Sequence, residues 1–169
     1  MRLHLVRHGR PLIDHGRPAS QWELDPASEP AVRALAAHLP RAAAYFSSPE
    51  PKAGATARIL AGDDFAMVPG LREQERGNAW VSDFSGTVRR AFERPDASVH
   101  EGWEPLALTQ RRVSQAVRRI LTEHAEQEIV LVGHGTAWTV LVSELTATEP
   151  NLDRWAGLAM PDVIHVEVS

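Results

Sequence analysis

The sequence predicts an α/β protein: a three-layer α/β/α sandwich with a mostly parallel central sheet and helices on both faces. Two kinds of segment in the sequence predict this fold. Short apolar runs, typical of buried strands, alternate along the chain with longer segments whose apolar residues recur at helical spacing. Strands that alternate with helices in this way build a sheet from βαβ units, with the helices packed on its faces. At 169 residues the chain is long enough for one such sandwich with its own core, and we expect residues 1–169 to form a single domain.

The first half of the chain alternates between the two kinds of element. Residues 3–6 form an apolar strand, and a polar loop over 9–27 follows it. Apolar residues recur at helical spacing over 31–39, where Pro40 ends the helix. The remaining predicted elements of this half are a strand at 42–46, an Ala-rich helix at 52–60 and a strand at 65–68.

The second half begins with the least regular segment, residues 71–103, in which 81–93 is compatible with a helix. The longest predicted helix starts at Pro105 or Leu106 and runs to Glu126, with Val113, Val117 and Ile120 on one side. The chain then continues with a strand at 129–132, a helix at 136–145 and a closing strand at 163–168.

Composition excludes several classes of protein. The net charge of −4 argues against sequence-independent binding to a nucleic acid backbone. The absence of cysteine excludes disulfides, thiol nucleophiles and Cys-ligated zinc. No apolar run approaches the roughly 20 residues that span a bilayer, and no signal-like segment opens the chain. We therefore expect a cytoplasmic protein with neither nucleic acid nor membrane as partner; its oligomeric state is left open.

Two histidine motifs follow two of the predicted strands. Arg7-His8-Gly9 comes after the strand at 3–6, and Gly133-His134-Gly135 comes after the strand at 129–132. Ligands of open α/β sheets bind beyond the carboxyl ends of the strands, so the two histidines are expected to share one pocket. Arg7 offers a fork of donors for an anionic oxygen, and a neutral imidazole is a competent nucleophile at pH 7. The motifs therefore predict a site that holds a phosphoryl group against a histidine.

The flanking residues of the motifs fit the same interpretation. Gly9 would let a phosphate approach the backbone closely. His134 and Gly135 lie where the predicted helix begins, and the free N–H groups of a helix N-terminus attract anions. A protonated His134 would add another donor to the phosphoryl oxygens.

The chain resembles the histidine phosphatase superfamily, which includes cofactor-dependent phosphoglycerate mutases and many small phosphatases, and its spacing fits the small branch. Besides the two histidine motifs, the matching residues are Tyr45-Phe46-Ser47-Ser48-Pro49, Thr56-Ala57, and Leu71-Arg72-Glu73 with Gly77 four residues on. The resemblance implies the three-layer fold. It also implies that His8 becomes phosphorylated and that Arg7 and His134 line the phosphate pocket. Glu73 would protonate the leaving oxygen and later activate water.

Three positions depart from the pattern of that superfamily. Lys52 stands where an arginine usually completes the phosphate pocket; it keeps the charge but lacks the bidentate fork. An exposed helix residue is the alternative interpretation of Lys52. Asp14 falls about where an asparagine often holds the phosphate, and a carboxylate there would repel it. The segment from Gly77 to Trp80 lacks the second glycine of the usual Gly-x-x-x-Gly.

The assignment of the acid leaves alternatives open. Glu73 has the best motif context, but Glu75 lies two residues away, and Glu101 and Glu104 flank a loop-like Gly-Trp pair. A general acid is expected to be partly buried with a raised pKa. Arg10 and Arg17 are candidates for a second anionic group of the substrate or for solvated loop residues.

The function expected from these residues is a phosphatase that hydrolyses phosphomonoesters, or phosphohistidine, through a covalent phosphohistidine at His8. The other histidines have no metal-ligand spacing, so no metal and no cofactor are predicted. The partner would be a small phosphorylated molecule or a phosphoprotein, and its identity is not encoded in any motif. A non-catalytic phospholigand-binding domain is the main alternative, and a mutase-type phosphotransferase is a second one.

Overall fold

The computed structural model of the chain describes residues 2–168, in which five strands form one sheet. The sheet order is β3-β2-β4-β1-β5; β5 is antiparallel to β1, and the other neighbouring pairs are parallel. The predicted mostly parallel sheet is thus confirmed. The strands are β1 Arg2–Arg7, β2 Ala44–Ser47, β3 Ala66–Met67, β4 Ile129–Gly133 and β5 Asp162–Glu167.

The helices lie near their predicted positions, with different ends. The segment predicted as one helix over 31–39 is an α-helix that gives way to a 3-10 turn at Ala36–His38, and the longest helix stops at Glu123. A short helix at Leu152–Gly157 was not predicted; the Asn151 side chain caps it by accepting from the Arg154 N–H. The helices are α1 Glu29–Leu35, α2 Pro51–Ala61, α3 Phe84–Glu93, α4 Leu106–Glu123, α5 Gly135–Thr146 and α6 Leu152–Gly157.

Apolar side chains cover the sheet on both faces, as the sandwich fold requires. On one face Leu3, Leu5 and Leu131 pack with residues of α4 and α5. On the other face Val6 and Val132 pack with residues of α2. Because the central strands are buried on both sides, they carry continuous apolar runs instead of alternating ones, which is why their positions could be predicted.

The register of the central strands brings the two histidine motifs together. Arg7 of β1 pairs with Gly133 of β4 in the parallel ladder, so the residues that follow them lie side by side. The His8 backbone N–H donates to the Gly133 carbonyl at 2.9 Å and extends the pairing by one residue. Among the helices at residues 2–168, none has the length and apolarity needed to cross a membrane.

Candidate active site

His8 and His134 form the centre of the candidate site, as the sequence predicted. Their ring centroids are 5.2 Å apart and the rings are inclined by 65°. The Nδ1 atom of His8 lies 2.7 Å from the Gly9 carbonyl oxygen. A carbonyl only accepts, so Nδ1 carries the proton and Nε2 keeps its lone pair. The local backbone thus selects the tautomer that a nucleophilic histidine needs.

Both histidines are neutral in the free protein. Burial lowers the pKa of His8 well below its ordinary value, and the charges of Lys52 and Arg7 act in the same direction. Burial also lowers the pKa of His134 to about 3. The protonated His134 suggested by the sequence is therefore not the state of the free site. Its Nε2 lies 2.8 Å from the Ser48 hydroxyl, and its buried Nδ1 has no partner among the described residues.

Arg7 is positioned at the end of β1, beside the start of α5. Its Nη1 donates to the Leu158 carbonyl, whereas its buried Nε has no hydrogen-bond partner among residues 2–168. A Cβ placed on Gly135 would lie 3.3 Å from that Nε. Glycine at 135 therefore lets the guanidinium lie close against the helix N-terminus. Arg7 and Gly135, which were both predicted to bind phosphate, therefore lie next to each other.

Gly9 has a structural role in the loop after β1, and its close contact with phosphate stays a prediction. Its N–H donates to the Thr56 hydroxyl at 3.0 Å, so that donor is already engaged. A Cβ at this position would lie 2.6 Å from Ser28 Oγ and 2.7 Å from Leu24 Cδ1. The glycine is required because the loop after β1 packs directly onto it.

Glu73 is the predicted acid that the structure brings to His134, because its carboxylate caps helix α5. Oε1 accepts from the Ala137 N–H at 2.9 Å, and Oε2 accepts from the Thr136 N–H at 3.1 Å. Burial raises its pKa, but Arg76, His134 and the backbone donors outweigh burial and lower the pKa to about 2. The raised pKa expected of a general acid is absent, and Glu73 is ionised at neutral pH.

The alternative acids lie in other surroundings. The Oε1 atom of Glu104 accepts from Arg112 Nη2 at 2.6 Å and from the Thr109 hydroxyl at 2.9 Å, which ties the loop before α4 to that helix. Glu75 and Glu101 are exposed. The geometry therefore favours Glu73 over these three residues.

Lys52 is buried, so the alternative of an exposed helix residue is wrong. Its Nζ donates to Glu50 Oε2 at 2.6 Å and to the Ala19 carbonyl at 2.6 Å. The side chains of Lys52 and Glu50 are each 6% exposed. The positive charge thus lies near the two histidines, whose pKa values it lowers, but a carboxylate already neutralises it.

Charged residues in the loop after β1 form ion pairs with one another. Asp14 is exposed; it accepts from the Gly16 N–H at 2.8 Å and lies 3.5 Å from Arg17 Nε. Arg10 Nε lies 3.4 Å from Asp25. Asp14 therefore already holds the turn of its own loop, and Arg10 and Arg17 are paired with carboxylates of that loop.

Sequence reasoning missed Glu50 and Arg76. Glu50 Oε1 accepts from the Glu73 N–H at 2.9 Å and lies 3.5 Å from His134 Nε2, which links α2 to two predicted site residues. A glutamate two residues before a predicted pocket cation was the available signal. Arg76 donates from Nη2 to the Thr136 hydroxyl at 2.8 Å. No pattern pointed to it, because its segment has no regular secondary structure.

The sheet order and the two histidines at the ends of adjacent strands place the chain among α/β proteins of phosphoglycerate mutase-like architecture. The sequence makes the assignment specific. The chain matches the histidine phosphatase superfamily (branch 1) over residues 3–168, and it belongs to this superfamily. The comparison with curated protein sequences found no match.

Solved structures share the fold at low sequence identity. YhfR from Bacillus stearothermophilus is 22% identical with a TM-score of 0.78, over 99% of this chain and 91% of that one. A mycobacterial glucosyl-3-phosphoglycerate phosphatase in complex with VO3 is 22% identical with a TM-score of 0.78, over 98% and 92%. A phosphoserine phosphatase variant from Entamoeba histolytica in complex with phosphoserine is 18% identical with a TM-score of 0.76, over 97% and 89%.

Proposed function

We propose that this protein is a phosphatase that hydrolyses phosphomonoesters through a phosphohistidine at His8. One observation carries the proposal. The Gly9 carbonyl holds the Nδ1 proton of a neutral, buried His8, so Nε2 keeps a lone pair next to Arg7 and His134. A histidine whose second nitrogen is held by a hydrogen bond is oriented for one reaction partner.

In the first step, Nε2 of His8 attacks the phosphorus of the monoester in line with the leaving oxygen. The bond from phosphorus to the leaving oxygen breaks as the bond to Nε2 forms. Arg7 and the unpartnered Nδ1 of His134 stabilise the charge on the non-bridging oxygens. A dianion beside Arg7 offsets the positive charges that lower the pKa of Glu73, so binding raises that pKa and Glu73 takes up a proton from solvent. Glu73 then passes this proton to the leaving oxygen and becomes a carboxylate.

In the second step, water attacks the phosphohistidine and the phosphorus–nitrogen bond breaks. Glu73 takes the proton of the water, phosphate leaves and neutral His8 is restored. Glu73 is a carboxylate again once it has protonated the leaving oxygen, so it is in the form that this base role requires. Its two bonds to the N-terminus of α5 keep the carboxylate next to His134.

We propose small phosphomonoesters as the substrate class, processed without a metal ion. The named structural relatives include a phosphoserine phosphatase and a glucosyl-3-phosphoglycerate phosphatase, which makes these two esters the first compounds to test. The metal-independent route stays a prediction, which the chelator in the assay below tests. That residues 1–169 act as one cytoplasmic domain stays a prediction.

A non-catalytic phospholigand-binding domain is the second candidate. Two observations favour it: Lys52 is already neutralised by Glu50, and Glu73 already caps α5 in the free protein. Such a protein would bind phosphate without turnover. A mutase would instead move the phosphoryl group between positions of the substrate faster than it releases phosphate.

The test is hydrolysis of p-nitrophenyl phosphate, phosphoserine and glucosyl-3-phosphoglycerate in excess chelator, by wild type and by His8→Asn. We expect turnover by wild type and a loss of activity in His8→Asn of at least about 100-fold, since covalent catalysis is abolished. His38→Asn is the matched control, because His38 is an exposed histidine outside the site. Rapid quench at alkaline pH should trap an acid-labile phosphoenzyme in wild type and in His38→Asn but not in His8→Asn.

Each alternative gives a different result. Phosphate binding by calorimetry without turnover on any ester would replace the phosphatase with a phospholigand-binding domain. Full activity of His8→Asn would remove His8 as the nucleophile even if hydrolysis is real. Activity abolished by chelator and restored by a divalent ion would contradict the metal-independent route.

A further inference from the structure

Arg76 is a second arginine at the N-terminus of α5. Its Nη2 donates to the hydroxyl of Thr136, the residue that follows Gly135. Arg7 lies against Gly135 itself, as the 3.3 Å separation from a Cβ there indicates. The two guanidinium groups are close enough that the charge of Arg76 lowers the pKa of Arg7 and of His134. Two like charges therefore meet beside the catalytic pair.

The orientation of Arg76 is set by two aromatic rings. Its Cζ lies 4.9 Å from the ring centroid of Phe84 and 4.9 Å from that of Trp103. Stacking on aromatic faces suits the planar guanidinium and stabilises its charge without using its N–H donors. The edge of the group therefore stays available for an acceptor.

Arg76 forms no close ion pair with any residue in 2–168, although its charge is felt by the Glu73 carboxylate. No carboxylate of residues 2–168 lies within 4.0 Å of its guanidinium, and its buried Nε has no hydrogen-bond partner there. A charged group that is taken out of water without a partner is costly. Arg7 has the same two properties within residues 2–168: its buried Nε has no hydrogen-bond partner, and it forms no close ion pair.

Lys52 shows the opposite arrangement. Its ammonium is 2.6 Å from Glu50 Oε2 and 2.6 Å from the Ala19 carbonyl, so its charge is already compensated. Of the three cations around the two histidines, Lys52 would therefore contribute least to the binding of an anion. Arg7 and Arg76 both lie at the N-terminus of α5 and form no close ion pair with the described residues, and two such cations match a phosphoryl dianion.

We propose that Arg76 is a phosphate-binding residue of this site, which contacts the oxygens of the phosphoryl group together with Arg7. The proposal rests on the proposed phosphatase function and adds the second cation of its phosphate pocket. Lys52 then acts from within its ion pair with Glu50 and is not a direct ligand of the phosphate. The donors used by Arg76 are its Nε and the Nη atom that does not bind Thr136.

The experiment measures binding of inorganic phosphate by calorimetry to wild type, Arg76→Met, Arg76→Lys and Lys52→Met. Loss of hydrogen bonds to a charged group predicts a Kd raised about 10- to 100-fold in Arg76→Met. We expect a smaller increase in Arg76→Lys, which keeps the charge but not the planar fork. Arg72→Met is the matched control: Arg72 is exposed in the same segment, and its Nε binds the Pro69 carbonyl. Far-UV circular dichroism and thermal melting establish that each variant is folded.

The outcomes separate this proposal from the proposed function. If wild type and Arg76→Met bind phosphate equally, Arg76 is not a ligand, and hydrolysis by wild type still supports the phosphatase. An unchanged phosphate Kd with a raised KM for esters would assign Arg76 to the leaving group and overturn the proposal. If wild type binds no phosphate at all, both fail. If Arg76→Met does not fold, the Kd of Arg76→Lys decides, because an unchanged value there contradicts the need for the fork.

Discussion

The buried ion pair between Glu50 and Lys52 gives the sharpest test of how this site is held together. The two side chains are each 6% exposed and their charged atoms are 2.6 Å apart. Glu50 also accepts from the backbone of Glu73, so the pair joins α2 to the segment that carries the predicted acid. The perturbation is to remove one charge at a time, with Lys52→Met and Glu50→Gln, and then both.

The expected magnitude follows from burial. Removing one partner of a buried pair leaves an uncompensated charge and costs about 3–5 kcal/mol. Replacing both removes the two charges together, so we expect the double variant to be more stable than the sum of the singles predicts, by about 2 kcal/mol or more. Gln at position 50 keeps an oxygen that can accept from the Glu73 N–H. At about 2–4 °C per kcal/mol for a chain of this size, Lys52→Met should lower Tm by about 6–20 °C.

The assay is urea denaturation of the four proteins, read as a double-mutant cycle. The matched control is Glu29→Gln with Arg33→Met, an ion pair of similar length at 2.6 Å whose side chains are 45% and 64% exposed. An exposed pair on a helix is worth about 0.3–0.5 kcal/mol. A Lys52→Met variant that loses no more stability than the exposed pair would refute the reasoning from burial.

Three further predictions concern single residues. The pKa of His134 is lowered from 6.5 to about 3, so the unfolded chain binds a proton at a higher pH than the folded chain does. Between pH 7 and pH 5 this group alone should lower the free energy of unfolding by about 2 kcal/mol. Urea denaturation at several pH values should show this decrease in wild type and not in His134→Asn. Glu73→Gln should release a burst of p-nitrophenol but slow steady turnover about 10²- to 10⁴-fold, because water then lacks its base; turnover as fast as in wild type would exclude Glu73. Gly9→Ala should lose about 1–3 kcal/mol in thermal melts, since its Cβ would collide with Ser28 Oγ at 2.6 Å.

Most of the fold could be predicted from local patterns. The central strands are apolar runs because helices cover both faces of the sheet, and the helices show apolar residues at helical spacing for the same reason. The helix α6 was missed because it has only six residues, Leu152–Gly157, and too few turns for a periodic signal. The antiparallel direction of β5 could not be predicted from the pattern of apolar residues, since direction depends on how the strand is connected and not on the residues of the strand.

The site could be predicted only where strand ends carry it. His8 and His134 follow buried strands, so the topology of the sheet was enough to bring them together. The surroundings that set their charge come from loops and helix starts, whose contacts have no periodicity. The low pKa of Glu73 depends on Arg76 and on backbone donors of α5, which lie far from it in sequence. The resemblance implied that Glu73 first acts as an acid and later as a base, whereas its surroundings in the free site favour the ionised form.

The proposed phosphate pocket contains two carboxylates, and the distribution of charge explains how it would nevertheless bind an anion. Glu50 forms an ion pair with Lys52 and accepts a hydrogen bond from the Glu73 N–H, and the Glu73 carboxylate accepts from an N–H in the first turn of α5. In the free protein both carboxylates thus bind groups of the protein, while Arg7 and Arg76 have no close carboxylate among the described residues. A phosphoryl group can then meet two guanidinium groups without breaking an existing ion pair. The pocket is organised before the ligand arrives, which is what electrostatic stabilisation of a transition state requires.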